Sequence, residues 1–497
     1  MTLRILLVAA WFVVASSPGG PAFGRAYPAF VSPAPPPPER LNPFPDQTFA
    51  SPERLHELLM DPPVAQHPRL GVNFANYYKS PGVRAYADMR HAGASHDRIT
   101  FDWFRLQPAP GPFTVTVTAA YDALLADAAD AGIETLGVLI GAPAWARDPE
   151  LDGGAYFLPR NLDLPWDDPN NYWGQFVYQV VTRYKDRVRA WEVWNEPNLD
   201  EFWPASPRRY ARLLQVAYQA AKAADPATTV VLGGIFRGVN IQRIDALFQV
   251  VRDLPDAEAN AFYHDVIGFH LYDGGHCSPF DELAYLRNFF WRPRVGDKPV
   301  WITESGIRVW DTPRSDGYAL PGELASFYLT NLAYALANGA QRYYYFRAID
   351  PFPDDPQPWG LLRNDGQSRP SLAAMRVAAQ HFPAQIELAI PALLNDAAVR
   401  AATFYHPQGR TTVVWNISAA PQRVFLPAGV AQATVVGQDG SAQALDAADG
   451  RFALELAPAQ NFRWNHPEGI CQVAGPPLIV IEAGVTLNRV WLPVAYR

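Results

Sequence analysis

The sequence predicts an α/β chain: a (β/α)8 TIM barrel followed by a small C-terminal antiparallel β-domain. Three observations predict it. Short apolar runs alternate with helical patterns eight times over residues 66–385, as parallel strands joined by crossover helices do. Several of those runs, such as Thr135 to Ala142, are apolar without a break, as in a parallel sheet covered on both faces. After about Ile390 the pattern turns to short alternating segments separated by Asp439-Gly440 and Asp449-Gly450, the mark of antiparallel hairpins.

The chain opens with Arg4 and an apolar run from Ile5 to Ala15, then Ser16-Ser17-Pro18-Gly19-Gly20. This is the layout of a secretory signal, placed over residues 1–26. The run falls short of the roughly 20 residues that span a bilayer. The mature chain is therefore expected to be secreted and to have no membrane span. Residues 27–65 are proline-rich around Pro33-Ala34-Pro35-Pro36-Pro37-Pro38. Such a run favours extended polyproline II and reads as a linker, with a PxxP ligand as the alternative.

Within the barrel, Leu70 to Phe74 is the first strand and a helix follows around Val83 to Arg90. Asp97 to Asp102 is the second strand. Leu124, Leu125, Ala128 and Ala129 recur at helical spacing, and Gly132 stands where a C-terminal cap glycine would. Strand 3 is Thr135 to Ala142, a helix covers Asp168 to Arg187, and strand 4 is Arg189 to Val193. Ser206-Pro207 is a helix start with proline in the first turn, and Tyr210, Leu213, Leu214 and Ala217 mark its buried face. Strands 5 to 8 are Thr229–Leu232, Val266–Phe269, Val300–Ile302 and Tyr343–Phe346. Helices near Gln242–Arg252, Glu282–Asn288, Glu323–Ala337 and Ser371–His381 separate or follow them. The β-domain spans 390–466, with strands such as Thr411–Trp415 and Arg451–Leu456. It either binds carbohydrate or braces the barrel. The tail, 467–497, is expected to supply an edge strand or a terminal tether through Leu478–Glu482 and Arg489–Pro493.

Two strand ends carry the chemistry. Trp191-Glu192-Val193-Trp194-Asn195-Glu196-Pro197-Asn198 must stop being a strand at Pro197, which has no N–H for the ladder, so Glu196 falls on the rim. Pro299-Val300-Trp301-Ile302-Thr303-Glu304-Ser305-Gly306 is a second apolar strand ending in a carboxyl, Glu304. At roughly 30 to 39 residues per barrel unit, the interval from Glu196 to Glu304 is about three units, which places the two carboxyls across the mouth from each other. Such a pair suits glycoside hydrolysis, in which one carboxyl protonates the leaving oxygen and the other attacks or activates water. Two surface or ion-paired acids would be the plain alternative, but charges on the C-terminal rim of such a barrel seldom serve stability.

Trp194-Asn195-Glu196-Pro197-Asn198 and Ile302-Thr303-Glu304-Ser305-Gly306 resemble the acid/base and nucleophile motifs of the clan A glycoside hydrolases, nearest their family 39 and family 5 branches. The resemblance covers about residues 68 to 383, and its motifs are specific as a pair. It implies a retaining β-glycosidase with Glu196 as acid/base at the end of strand 4 and Glu304 as nucleophile at the end of strand 7. Arg98 matches the clan's arginine that donates to the nucleophile, although it could instead neutralise Glu192. His270-Leu271-Tyr272 matches the His-x-Tyr of the family 5 branch, which implies that Tyr272 bonds Glu304 and His270 lines the sugar subsite. Asn195 matches the asparagine that holds the sugar 2-hydroxyl. Trp145 and Trp359 are candidate sugar platforms, since flat aromatic faces cover apolar sugar surface. One departure stands out: the clan usually has tryptophan at the end of strand 8, where this chain has Tyr343-Tyr344-Tyr345-Phe346-Arg347. Either Phe346 substitutes or Trp359 reaches in from the loop.

Composition narrows the partners. A net charge of −8 without a basic run argues against nucleic acid, and 13% aromatic residues fit a carbohydrate. No His-Glu-x-x-His, clustered-cysteine or calcium-loop spacing occurs, so neither metal nor cofactor is expected. No phosphate-cradling glycine loop precedes a helix, and no Gly-x-Ser-x-Gly elbow appears. Cys277 and Cys471 are either one disulfide or two buried thiols. Transglycosylation at the same site, or a non-catalytic carbohydrate-binding barrel, are the functional alternatives.

Overall fold

Eight strands close into a parallel barrel in chain order in the computed structural model. The structure describes residues 62–75, 85–151, 155–236, 241–272, 282–310, 319–352, 355, 358–459, 461–462 and 471–487. The expected signal segment, most of the linker, Cys277 with its possible bridge, and Arg489–Pro493 lie outside them.

The barrel runs β1 (Leu70–Asn73), α1 (Ala85–His91), β2 (His96–Asp102), α2 (Trp103–Leu106), α3 (Val115–Asp130), β3 (Glu134–Ile140), α4 (Tyr172–Tyr184), β4 (Val188–Val193), α5 (Pro207–Ala224), β5 (Thr229–Phe236) and α6 (Ile241–Arg252). It continues through β6 (Val266–His270), α7 (Glu282–Leu286), α8 (Arg292–Val295), β7 (Val300–Glu304), α9 (Pro321–Ala337), β8 (Ala340–Tyr345) and α10 (Pro370–His381). Closure is by β1 on β8, with Leu70 opposite Tyr343 and Val72 opposite Tyr345. Strand residues alternate between the inside of the ring and the helical shell. Low in the ring, Leu136, Ala190, Val231, Val266, Trp301 and Tyr344 form one apolar plug. Two positions further along their strands, Glu192 and Thr303 face the same interior.

Local chemistry sets where helices begin. Ser206 Oγ accepts from Arg209 N at 3.3 Å, ahead of Pro207 in the first turn of α5. The helix expected from Asp168 starts later, because Asp168 Oδ1 folds a turn onto Asn170 N at 2.8 Å and Asn171 becomes the cap, accepting from Gly174 N at 3.0 Å. The helix expected over Glu282–Asn288 ends as α7 at Leu286 and widens into a π-helical turn, Arg287–Trp291. No helix among the described residues is long and apolar enough to cross a membrane.

The C-terminal part is antiparallel: β9 (Leu388–Leu394), β10 (Val399–His406), β11 (Gly409–Asn416), β12 (Gln422–Pro427), β13 (Gln432–Val436), β14 (Ala442–Asp446), β15 (Arg451–Leu456), β16 (Asn461–Phe462), β17 (Cys471–Val473) and β18 (Leu478–Ala483). Six strands form a sheet in the order β14-β13-β18-β11-β10-β9, and β12 with β15 makes a separate ribbon. Period-two alternation divides the sheet's side chains. Val399, Ala401, Val414 and Val480 pack on the ribbon's Val424, Phe452 and Leu454. Ala402, Phe404, Val413, Trp415 and Ile479 join the barrel's core. Between sheet and barrel lies α9, buried from Glu323 to Ala337, as an all-round apolar helix should be. Ser326 Oγ donates to Gln438 Oε1 at 2.7 Å across that seam.

The expected edge strand in the tail needs correction. β18 lies inside the sheet, paired with β11 on one side and β13 on the other. Ile479 and Val480 point to opposite faces of the sheet and are both buried, one in the barrel's core and one against the β12–β15 ribbon.

Candidate active site

The site stands where β4 and β7 end. After Val193 the backbone leaves the strand through Trp194 (φ 71) and Glu196 (φ 42), a left-handed conformation that costs a residue with a Cβ of the order of 1–3 kcal/mol. The surroundings hold it there. Trp194 N bonds Leu139 O at 3.0 Å and Glu196 N bonds Gly234 O at 3.1 Å, tying the tip to both neighbouring strands. The Trp194 ring is buried against Trp173 and Trp203, with Nε1 donating to Phe202 O at 2.9 Å. Asn198 clamps the end of β5 by accepting from Phe236 N at 3.0 Å and donating to Phe236 O at 2.5 Å.

Glu304 ends β7. Behind it, Ser305 Oγ meets Tyr343 Oη at 2.8 Å and receives a hydrogen bond from Asn331 Nδ2 at 2.7 Å. A side chain at Gly306 would overlap Phe346 O and crowd Trp359, so glycine lets both come close to the end of β7.

Six of the eight residues singled out in the sequence meet around the carboxyls. Arg98 Nη1 donates to Glu304 Oε1 at 2.5 Å, and Tyr272 Oη donates to Glu304 Oε2 at 2.5 Å. His270 Nδ1 lies 2.7 Å from Glu196 Oε1 and 3.5 Å from Glu304 Oε2. Its Nε2 has no partner among the described residues. The oxygens of Glu196 and Glu304 therefore face Nδ1. Nε2 lies against Gly234, where any side chain would overlap the ring. Asn195 Oδ1 accepts from Arg98 Nη2 at 3.0 Å, which turns its NH2 group outward as a donor.

Both alternatives weighed for Arg98 hold at once. The same guanidinium that reaches Glu304 also pairs with Glu192, Nε to Oε2 at 2.7 Å. Both alternatives for the end of strand 8 are also present. Phe346 follows β8, and Trp359 comes in from the loop to stack edge-on with it at 5.6 Å and with Tyr272 at 5.6 Å. Trp145 is placed elsewhere. Its Nε1 donates to Gln107 O at 3.0 Å, and its ring packs on Trp103 and Tyr172 in the shell beside β3, with no contact to either carboxyl among the described residues.

Sequence reasoning passed over Asn73 and Gly234. Asn73 Oδ1 accepts from Arg98 Nη1 at 3.0 Å while Nδ2 donates to Thr303 O at 3.1 Å. A polar residue closing an apolar parallel strand was the available signal.

The two carboxyls differ in what they are bonded to. Burial pushes Glu196 above the usual carboxylate range, and the nearby charge of Glu304 adds to it against the opposing pull of His270 and Arg98. Burial also raises Glu304, but a guanidinium and a phenol donate to it. Tyr272, raised well above its ordinary value by burial and by Glu304, keeps the proton it donates. Burial works against the charge of Arg98, yet Glu192 and Glu304 outweigh it and hold the guanidinium above its ordinary value. The arrangement favours the proton on Glu196 and the charge on Glu304.

Glu196, His270 and Glu304 each offer an atom within 4.8 Å of the other two, a grouping that metal ions can use. Here the Arg98 guanidinium and the Tyr272 hydroxyl already donate to Glu304, so a cation would meet a fixed positive charge and a phenol proton. The donor set suits a sugar lying between two carboxyls better.

Residues 396–458 match the family described as D-apionate lactonase, C-terminal immunoglobulin-like domain. A stretch of 83 residues is 36% identical to a β-xylosidase of Geobacillus stearothermophilus, covering 15% of this chain and 16% of that protein. The match therefore spans about a sixth of that relative's length. Among solved structures, a family 39 glycoside hydrolase from Bacteroides cellulosilyticus WH2 superposes with a TM-score of 0.61 at 19% identity, over 84% of this chain and 81% of the other. A family 30 endoxylanase from Clostridium papyrosolvens C71 gives 0.57 at 15% identity, over 85% and 98%. These likenesses establish the fold, and family 39, to which the two motifs pointed, is among the structural neighbours.

Proposed function

We propose that this chain is an exported retaining β-glycosidase, with Glu196 as general acid/base and Glu304 as nucleophile. One observation carries the reading: two buried carboxyls with oxygens within 4.8 Å, one held by a guanidinium and a phenol and the other by an imidazole. Retaining enzymes place their carboxyls about 5–5.5 Å apart, whereas inverting enzymes need about 6.5–9.5 Å to admit a water. Oxygens that approach within 4.8 Å support the shorter, retaining arrangement over the longer, inverting one.

In the first step Glu304 attacks the anomeric carbon while Glu196 gives its proton to the leaving oxygen. As Glu304 becomes an ester it loses its negative charge, and the pressure on Glu196 to stay protonated falls. Glu196, now ionised, takes a proton from water in the second step, and water displaces Glu304. Asn195 offers its NH2 group to a sugar hydroxyl, and Tyr272, Phe346 and Trp359 supply an aromatic wall. The N-terminal apolar run supports export. The β-xylosidase and xylanase names among the relatives make aryl β-xylosides the first substrates to try.

Azide tests the roles. In Glu304→Ala it attacks from the vacated face and converts a β-glycoside into an α-glycosyl azide. In Glu196→Ala it intercepts the covalent intermediate, since it needs no base, and gives a β-glycosyl azide. Opposite configurations by proton NMR are expected. Identical configurations would mean that the roles are misassigned, and a wild type that releases no nitrophenol from any aryl glycoside would end the reading.

A further inference from the structure

A guanidinium in a polar cleft can turn in several ways, and the proposed reaction needs one of them. Arg98 is 1% exposed and makes five hydrogen bonds. A guanidinium has five N–H groups, so each is used. Asn73, Asn195 and Glu304 take one each. Glu192 takes two, from Nε at 2.7 Å and Nη2 at 3.3 Å, in the side-on fork where carboxylate and guanidinium match.

Glu192 is itself immobilised. It is fully buried, and its Oε1 also accepts from Gly234 N at 2.7 Å and from Thr303 Oγ1 at 3.2 Å. The amide of Gly234 is available because the pairing of β5 with β6 shifts register between Leu232 and Ile235. A carboxylate on β4, tied to β5 and β7, thus grips an arginine on β2. The other edge of that arginine meets the nucleophile on β7 and the amide beside the acid.

We propose that Glu192 is a positioning residue that fixes the plane of Arg98, so that one guanidinium aligns both Glu304 and Asn195 for the reaction. The inference rests on the glycosidase reading. Glu192 lies beneath the site and reaches the chemistry only through Arg98.

The test compares wild type, Glu192→Gln, Arg98→Lys and the double variant on an aryl β-glycoside, with thermal unfolding to confirm folding. The amide of Glu192→Gln cannot accept both N–H groups of the fork. The kcat is expected to fall about 10²–10³-fold, as when one aligned donor to developing charge is lost. The KM should stay within about threefold, since the loss falls on the transition state. Lysine cannot form the fork, so the double variant should match Arg98→Lys within about threefold, there being no guanidinium left to position. A merely structural role would multiply the two losses. A folded Glu192→Gln with wild-type kcat, or multiplying losses, overturns the proposal. Should Glu192→Gln fail to fold, Glu192→Asp keeps the charge one methylene short. The same non-multiplication with Arg98→Lys and a kcat loss of at least about tenfold are then expected, and their absence overturns the proposal. An inactive wild type overturns the glycosidase reading and this inference with it, whereas an active wild type with unaffected Glu192 variants overturns this inference alone.

Discussion

The two ends of the barrel use the same strands in opposite ways. At the lower end β3 to β8 contribute Leu136, Ala190, Val231, Val266, Trp301 and Tyr344, an apolar plug with the Arg342 guanidinium stacked 4.1 Å over Trp301. At the upper end the same strands lead to Glu192, Glu196, His270 and Glu304, buried but polar, with Trp194 and Glu196 in left-handed backbone. Burial below removes apolar surface from water and stabilises the fold. Burial above strips water from charges, opposes the fold and tunes proton affinities. The difference teaches that stability and chemistry are segregated along the barrel axis, so substitutions at the two ends should fail in different assays.

Four substitutions sharpen or break that contrast. The largest effect is expected from Glu304→Ala, which removes the proposed nucleophile and should lower hydrolysis of every substrate by several orders of magnitude in a protein that still folds. Loss of the far-UV and near-UV circular dichroism instead would mean that the upper end also holds the fold.

Next comes Glu196→Gln. Proton transfer contributes typically about 10²–10⁴-fold, so kcat/KM should fall by that factor on poor leaving groups and much less on nitrophenyl ones. Stability should move the other way. The folded-state pKa of Glu196 is raised, so its contribution is present at low pH and lost as pH rises through that value. The amide does not ionise. The Tm of Glu196→Gln should therefore exceed that of wild type at pH 8, and the gap should close towards pH 4.

At the lower end Trp301→Ala should destabilise by about 3–5 kcal/mol, the usual cost of removing a large buried aromatic. Urea unfolding would read this, and the kcat of the folded fraction should be nearly unchanged. A variant of normal stability with lost activity would dissolve the contrast.

The smallest effect concerns Asp97, which faces the helical shell next to inward-facing Arg98. Tyr86 Oη donates to its Oδ2 at 2.8 Å and Ala75 N to its Oδ1 at 3.3 Å. Burial raises its pKa from 3.8 to about 7 despite those donors. Between about pH 4 and 7 the unfolded chain ionises there and the folded chain does not, so wild type loses stability on the order of a few kcal/mol as pH rises. His67, His96 and His264, held down at about 4, 3 and 3 by burial, work in the opposite sense over part of this range. They remain in Asp97→Asn, so the difference between the two proteins isolates Asp97. Chemical denaturation at pH 5 and pH 8 should show the variant gaining on wild type at the higher pH, and parallel curves would refute the assignment.

Much of this was legible in the sequence because it depends on period and punctuation. Apolar runs without a break, a helix face at 3.6-residue spacing and Pro197 after Glu196 are properties of neighbouring residues, and they set strands, helices and the rim position of the carboxyl. The same locality explains what was misread. Whether β18 lies at an edge or inside a sheet depends on which strands leave a slot, and no residue near Leu478 records that. Trp145 sits in a loop after a barrel strand, as sugar platforms do, yet the rings of Trp103 and Tyr172 draw it into the shell.

The sequence by itself determined the barrel, the β-domain and the two strand ends on which Glu196 and Glu304 stand, because strand period and chain-breaking residues act over a few positions. Only the tertiary structure decided how those carboxyls differ. The four residues that take the five hydrogen bonds of Arg98 come from β1, from β4 and the turn after it, and from β7, and His270 reaches Glu196 from β6, two strands away. Distances of 2.5 to 3.3 Å between residues up to 206 positions apart exist only once the barrel has closed. Proton affinity follows from those distances and from the exclusion of water, and neither is a property of sequence neighbours.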